Sequence, residues 1–358
     1  PLTGNWDGQA GTSIGVYREI LQIPNSEMRL FYLDNDLDGV ADIGIDLQNP
    51  RFQRFKDDHR VLGWQFGDEP LGNALANGMD PDMVLSVLRD LFLFYSPKTS
   101  QQLLFVEVPP WSGNMTWWPE YISAMDLGCH DNYPKFLGTQ LTSLETIANS
   151  VSLQTSVLSE SKPSWLVVQA FSQTGGGNFQ WEMPTPREAK AMVYTAIIHG
   201  ATGIVYFTWD SWVSRDGGVV GIGPDPPQVY PQGGTVATPE QLDMARYLWS
   251  GIVAVNTELD SMAPVVLSKT SNGHYSVFVD DTTHMPYPIR CLLKNGQNCK
   301  YLLTVNICSD PLNVRYQFDD TIPGPVSVLF ENGRTISVQS NGFIDYYEGF
   351  DVHIYLIP

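Results

Sequence analysis

Between Met28 and Leu259, short apolar runs that read as buried strands alternate with longer segments whose apolar residues recur at helical spacing. The runs begin at about residues 28, 61, 102, 124, 164 and 203. Pro81 to Phe94 reads as a covering helix, with Met83, Val84, Val87, Leu88, Leu91 and Phe92 on one face. Ser143 to Val157 is a second helix. A third opens at Thr185, with Pro186 in the first turn and Glu188 three residues after the cap, and ends at Gly200. Thr238 caps a fourth, through about Leu259. Between the last two, residues 211–237 read as one long Gly/Pro-rich loop. From Pro264 the pattern switches to period two, as in Tyr275 to Val279 and Tyr301 to Val305, with frequent turn signals and no helical stretch.

Strand and helix in alternation predict a parallel sheet covered by helices, most economically a (β/α)8 barrel of the TIM type. The predicted organisation is therefore α/β: residues 1–263 as barrel and 264–358 as an all-β sandwich. Barrel closure needs eight strands, and only six are found. If Gly203 to Trp209 is the last, the strand ending at Asp68 is the fourth, and the first two βα units lie upstream of Pro1, absent from this chain. An open doubly wound sheet is the alternative.

The C-terminal ends of such strands are where pockets form. Val61 to Phe66 is followed by Gly67-Asp68-Glu69-Pro70, and the proline, which has no N–H to give a ladder, stops the strand on two adjacent carboxylates. Glu107 follows Phe105-Val106, and Asp131 sits between His130 and Tyr133. The next strand ends in Gln169 before a Gly-rich loop carrying Trp181 and Glu182, and the last ends in Trp209-Asp210. General acid/base work needs a carboxyl that can give a proton and a second carboxylate placed opposite it. Glu69, Asp131 and Glu107 are the catalytic candidates. Asp68, Trp64, His130, Tyr133, Gln169, Trp181, Glu182, Trp209 and Asp210 are candidates for lining the pocket, although any one aromatic serves a core as readily as a platform.

With 39 acidic against 20 basic residues, a net charge of −19 repels a phosphate backbone, which argues against nucleic acid and for a neutral or weakly charged partner. Ten Trp and sixteen Tyr suit sugar rings. No membrane-length apolar run, nucleophile elbow or phosphate loop is present. Asp34, Asp36, Asp38 and Asp42, with Val40 offering a carbonyl, match the spacing of an oxygen-ligand loop for a structural Ca2+, although Ile45 stands at the twelfth position. Cys291 and Cys299 flank an Asn295-Gly296 turn signal, so a disulfide across a hairpin is expected. With the Asn114-Met115-Thr116 sequon it predicts a secreted glycoprotein whose leader has been removed or lies outside this sequence.

Gly63-Trp64 leading to Asp68-Glu69-Pro70, Asp131-x-Tyr133-Pro134, Pro184-Thr185 before a helix to His199-Gly200-Ala201, Tyr206 to Trp209, and the terminal strand with His353 and Tyr355 resemble (β/α)8 glycoside hydrolases with a C-terminal β-sandwich. The resemblance covers Met28 to Pro358. In that clan the fourth strand ends in Asn-Glu-Pro and its Glu is the acid/base, which implies that role for Glu69. The seventh strand ends in a nucleophilic Glu, where this chain has Gln169. The resemblance thus implies a secreted glycoside hydrolase, and the departure implies an alternative: a catalytically silent barrel that binds carbohydrate or serves as a structural glycoprotein.

Overall fold

The computed structural model describes residues 57, 63–159, 161–174, 180–209, 211–214, 217–223, 237–280 and 288–358. The expected Met28 strand, the Ca2+ loop (Asp34, Asp36, Asp38, Val40, Asp42) and Asp210 lie outside the described residues.

Five parallel strands lie side by side in chain order: β1 (Gly63–Asp68), β2 (Gln102–Val106), β3 (Gly128–Asn132), β4 (Ser164–Gln169) and, two strands later in the sequence, β6 (Gly203–Phe207). A parallel bridge between Glu107 and His130 joins β2 to β3. The order never reverses among the described strands, whereas a doubly wound sheet is built on such a reversal. Between the strands run α1 (Pro70–Ala76), α2 (Pro81–Tyr95), α3 (Trp118–Ile122), α4 (Glu145–Leu158) and α5 (Pro186–Ile198). α5 starts as its sequence predicts, with the Thr185 hydroxyl accepting from the Glu188 N–H and the Glu188 carboxylate reaching back to the Thr185 N–H.

The sheet has two differently packed faces. Leu104, Val106, Cys129, Trp165, Val167 and Val205 form one apolar cluster on one face. On the other, Leu103 and Phe105 pack with Leu71, Leu85, Trp118 and Tyr121 from the helices. Alternation along each strand assigns every polar residue to one face or the other. The Gly-rich loop expectation misses a small antiparallel sheet in which β5 (Ser172–Thr174) and β7 (Trp212–Ser214) flank β8 (Gly217–Val220). Strands this short, separated by glycines, carry no readable period.

α6 runs from Pro239 to Val266, so helix continues through Pro264, where the sandwich was expected to begin. Beyond it, the three-stranded sheet places β12 (Leu312–Phe318) between β9 (Tyr275–Val279) and β15 (Gly342–Tyr347). The other sheet runs β10 (Ile289–Asn295), β11 (Lys300–Asn306), β16 (Val352–Ile357), β13 (Val326–Val328) and β14 (Thr335–Ile336). Leu303, Val305, Ile307 and Ile354 belong to the same buried cluster as Met192, Val193 and Ile197 of α5 and Val255 and Leu259 of α6. Backbone bonds tie the two parts as well: Leu144 N–H to Ile307 O at 2.7 Å and Ser309 N–H to Thr142 O at 3.0 Å. His353 and Tyr355 serve this region. Tyr355 donates to Asp345 at 2.8 Å, and the Tyr316, Tyr347 and Tyr355 hydroxyls form a buried chain.

Two expectations about modification are corrected. Cys291 and Cys299 are free thiols, because the hairpin turn occupies Gly296–Cys299: Asn295 pairs with Lys300, and Cys291 pairs with Thr304. Cys291 is thus four residues, about 13 Å of strand, from the turn that carries Cys299, beyond disulfide reach. Asn114 is 0 % exposed, its side-chain oxygen accepting from the Trp111 N–H at 2.8 Å and its amide donating to Pro109 O at 3.2 Å. An amide used to hold its own turn offers nothing for glycan attachment in the folded chain.

Candidate active site

At the end of β1 the register slips. Gln65 pairs with Leu104, but Asp68 pairs with Val106, so three residue steps on β1 match two on β2. One extra residue in a strand moves everything after it to the opposite face. Asp68 therefore shares the face of Val106 and the inner cluster. Glu69, next in the chain, has φ 50° and ψ 48°, a left-handed conformation that is costly for a residue with a Cβ. Its N–H still reaches Val106 O at 2.6 Å, and its C=O accepts the Asn73 N–H at 2.8 Å to start α1. The Asn73 side chain closes the turn by donating to Asp68 O at 2.8 Å.

Asp131 lies on the same face two strands along, paired with Val167, and is 3 % exposed. It is hydrogen-bonded to the Glu69 carboxyl. Burial first, then the charges of Glu69 and Asp68 and that bond, hold the Asp131 carboxyl well above the usual range. The structure thus brings Asp68, Glu69 and Asp131 together, with the buried member the one that favours its proton.

Glu107 and His130 belong to the opposite face, because Glu107 follows Phe105 by two and is bridged to His130. The Glu107 carboxyl, 0 % exposed, accepts from Leu71 N–H (3.0 Å), Gly72 N–H (3.3 Å) and Val108 N–H (2.8 Å). Burial pushes it up to about 8 against those three donors. Against the expectation, it faces the helix layer and not the face that carries Asp68 and Asp131. His130, also 0 % exposed, bonds through Nδ1 to Gln154 Oε1 at 2.7 Å and packs edge-on to Trp118, so it is a helix-layer residue and not a sugar contact. Burial lowers it to about 4. Trp64 likewise packs against the helix-side cluster. Strand parity could have shown all three, had the strand ends been fixed.

Gln169 pairs with Phe207 at the top of the sheet, yet its side chain is fully buried. At 0 % exposure its side chain accepts from Lys135 N–H (2.9 Å) and donates to Lys135 O (3.1 Å) and Glu182 O (2.9 Å). It clamps the loops after β3 and β4. Those loops carry an aromatic cluster that starts at Tyr133, two residues after Asp131: Tyr133 stacks on Phe207 of β6 with centroids 5.8 Å apart, and Phe136 stacks on Trp181 at 6.1 Å. Phe171 meets Tyr133 at 5.0 Å. Phe136 and Phe171 were missed because each lies in a loop beyond its strand, where no period marks which way a side chain faces. Glu182 is exposed and faces Lys135, whose ammonium also pairs with Glu188 at 2.8 Å. Trp209 packs edge-on against Trp249 in a separate cluster with Leu248 and Ile222. Among the described residues no group of His, Cys, Asp and Glu is placed to hold a metal ion, and no helix is long and apolar enough to cross a membrane.

No family model and no curated protein matches the chain. Among solved structures it is similar to a GH42 beta-galactosidase, Gan42B, from G. stearothermophilus (9% identity, 77% of this chain and 67% of that one, TM-score 0.48). It is also similar to a GH30 endoxylanase from Clostridium papyrosolvens (12%, 83% and 65%, 0.39) and to an alpha-amylase from Geobacillus thermoleovorans solved with acarbose (13%, 76% and 57%, 0.43). The chain spans less than two thirds of the length of the last two. With identities this low and scores below 0.5, function has to be read from the chain's own residues.

Proposed function

We propose that this chain is a glycoside hydrolase in which Glu69 and Asp131 work as a proton-sharing pair on a neutral or weakly charged glycan, in the C-terminal mouth of a (β/α)8-type barrel. The observation that carries the reading is the convergence of three carboxyl groups, Asp68, Glu69 and Asp131, at one strand edge beside the Tyr133, Phe136 and Trp181 rings. Two carboxyls in hydrogen-bond contact cannot both ionise cheaply, so the pair holds one proton near neutral pH. Glu69, the more exposed member, delivers it to the leaving oxygen as the glycosidic bond breaks. The pair, now doubly negative and next to Asp68, stabilises the oxocarbenium-like centre and takes a proton back from the attacking water. The aromatic rings offer the apolar faces on which sugars stack.

Replacing Glu69 by Gln keeps the shape and removes the donor, so turnover of substrates with poor leaving groups should fall by at least ~10²-fold. Asp131→Asn should cost a similar factor. Hydrolysis left intact in Glu69→Gln, on any glycan that the wild type cleaves, would overturn the assignment.

A second reading, a silent glycan-binding protein, is favoured by one observation: the strand end where the resemblance calls for a nucleophile holds Gln169, committed to backbone groups. No cleavage by the wild type across a panel of aryl glycosides and polysaccharides, with measurable binding to one of them, would select it.

A further inference from the structure

Nothing in the chemistry above uses Glu107, although it is a fully buried carboxyl one strand away from the pair. Its two oxygens accept three backbone N–H groups, two of them from Leu71 and Gly72, the second and third residues after Glu69. Glu69 meanwhile sits in a left-handed conformation, and its side chain makes no capping bond to α1. A strained residue persists only where its surroundings over-determine it, and here three backbone attachments converge. Glu69 N–H is fixed to Val106 O, Asn73 closes on Asp68 O, and Leu71 and Gly72 are fixed to Glu107. The first is a strand-end bond, and the second comes from an exposed side chain. Glu107 supplies the only one of the three that is made by a buried side chain. Gly72 fits the same picture, because a Cβ there would come within 2.9 Å of Val108 Cγ1, next to the Val108 N–H that Glu107 also holds.

We infer that Glu107 is a positioning residue: by gripping the first turn of α1 from the helix side of the sheet, it holds Glu69 in the backbone conformation that aims its carboxyl at Asp131. The inference rests on the proposed acid/base role of Glu69 for its consequence in activity, but not for its consequence in structure.

Two variants and two readouts separate these. Glu107→Gln keeps the volume but sets an NH2 against a backbone N–H; Glu107→Met removes all acceptors at similar size. Amide hydrogen exchange at Leu71 and Gly72, followed by NMR, should accelerate at least ~10-fold in Glu107→Gln and more in Glu107→Met, with amides of β4 and β16 unchanged. On a cleaved glycan, kcat should fall ~10-fold or more in Glu107→Gln with KM nearly constant, and Glu107→Gln should cost nothing further in a Glu69→Gln background, since it acts through Glu69. Unchanged exchange at residues 71 and 72 would overturn the inference. So would a full, additive loss in the double variant, which would give Glu107 a route independent of Glu69. If exchange accelerates while Glu69→Gln itself leaves hydrolysis intact, the grip stands and the acid/base assignment fails.

Discussion

Converting Gln169 to Glu would supply the carboxylate that a glycosidase strand end is expected to carry, and the structure says that it should be harmful and useless. The Gln169 amide donates to Lys135 O at 3.1 Å and Glu182 O at 2.9 Å, with a long third approach to Phe171 O at 3.5 Å. A carboxylate has no hydrogen to give them. Discounting the long contact, two carbonyls lose this bond, but Lys135 O keeps the Glu182 N–H at 3.1 Å and Glu182 O is only partly buried, so the loss is that of two ordinary hydrogen bonds, about 2 kcal/mol in all. A proton on the new side chain restores one of those bonds, so the folded state raises the carboxyl's affinity for it. With the folded pKa above the unfolded one, stability is retained at low pH and lost as pH rises through the folded value. Urea unfolding followed by far-UV circular dichroism at pH 5 and pH 8 should show a larger deficit at pH 8, with the slope m unchanged. Gln169→Leu, which loses the bonds without gaining a charge, should show a deficit that does not vary with pH. No glycosidase activity should be gained, because a 0 % exposed side chain meets no substrate. A loss below ~1 kcal/mol, or one that is flat with pH, would refute the clamp; the scale for comparison is the ~1 kcal/mol of an ordinary hydrogen bond.

Two further outcomes are expected. Glu69→Asn puts a residue that tolerates left-handed backbone at φ 50° and removes a charge beside Asp131, so the variant should gain ~1 kcal/mol in urea unfolding while losing activity; destabilisation would argue against strain at this position. His130, lowered to about 4 by burial, contributes stability that is present above its unfolded value near 6.5 and lost as pH falls towards about 4. Wild type should therefore lose up to ~3 kcal/mol more than His130→Phe between pH 7 and pH 4, and parallel curves would show that the ring is not held neutral.

The alternation of strand and helix was legible in the chain because β2, β4 and β6 are short, almost uninterrupted apolar runs and α2 carries an apolar stripe. Thr185 and Thr238 announced their helices by local chemistry alone, and both are capping boxes. The site was half legible. Asp68, Glu69 and Asp131 were singled out because carboxylates at strand ends stand out against apolar runs, and the structure brings them together. Glu107, His130 and Trp64 were misassigned for one reason: a period of two makes facing depend on knowing the strand to a single residue, and the slip between Gln65 and Asp68 has no signature in composition. Gln169 and Asn114 failed differently. Each is an amide whose partners are backbone groups of loops, contacts that no periodicity encodes. The cysteine hairpin failed because Asn295-Gly296 marked a turn whose length was set by residues further on.

The buried cluster that Leu303, Val305 and Ile354 share with Met192, Val193 and Val255 makes the β-rich end of the chain something other than a detachable appendage. Cutting the chain after residue 263 would strip one wall from a core and leave α5 with an apolar flank facing water. It would also free the Thr142–Leu144 segment, whose partners are Ile307 and Ser309 and which follows the strand that presents Asp131. Heat should then melt the two ends together, in one calorimetric event, and a gene fragment encoding only the parallel strands and their helices should yield aggregates in place of a smaller enzyme.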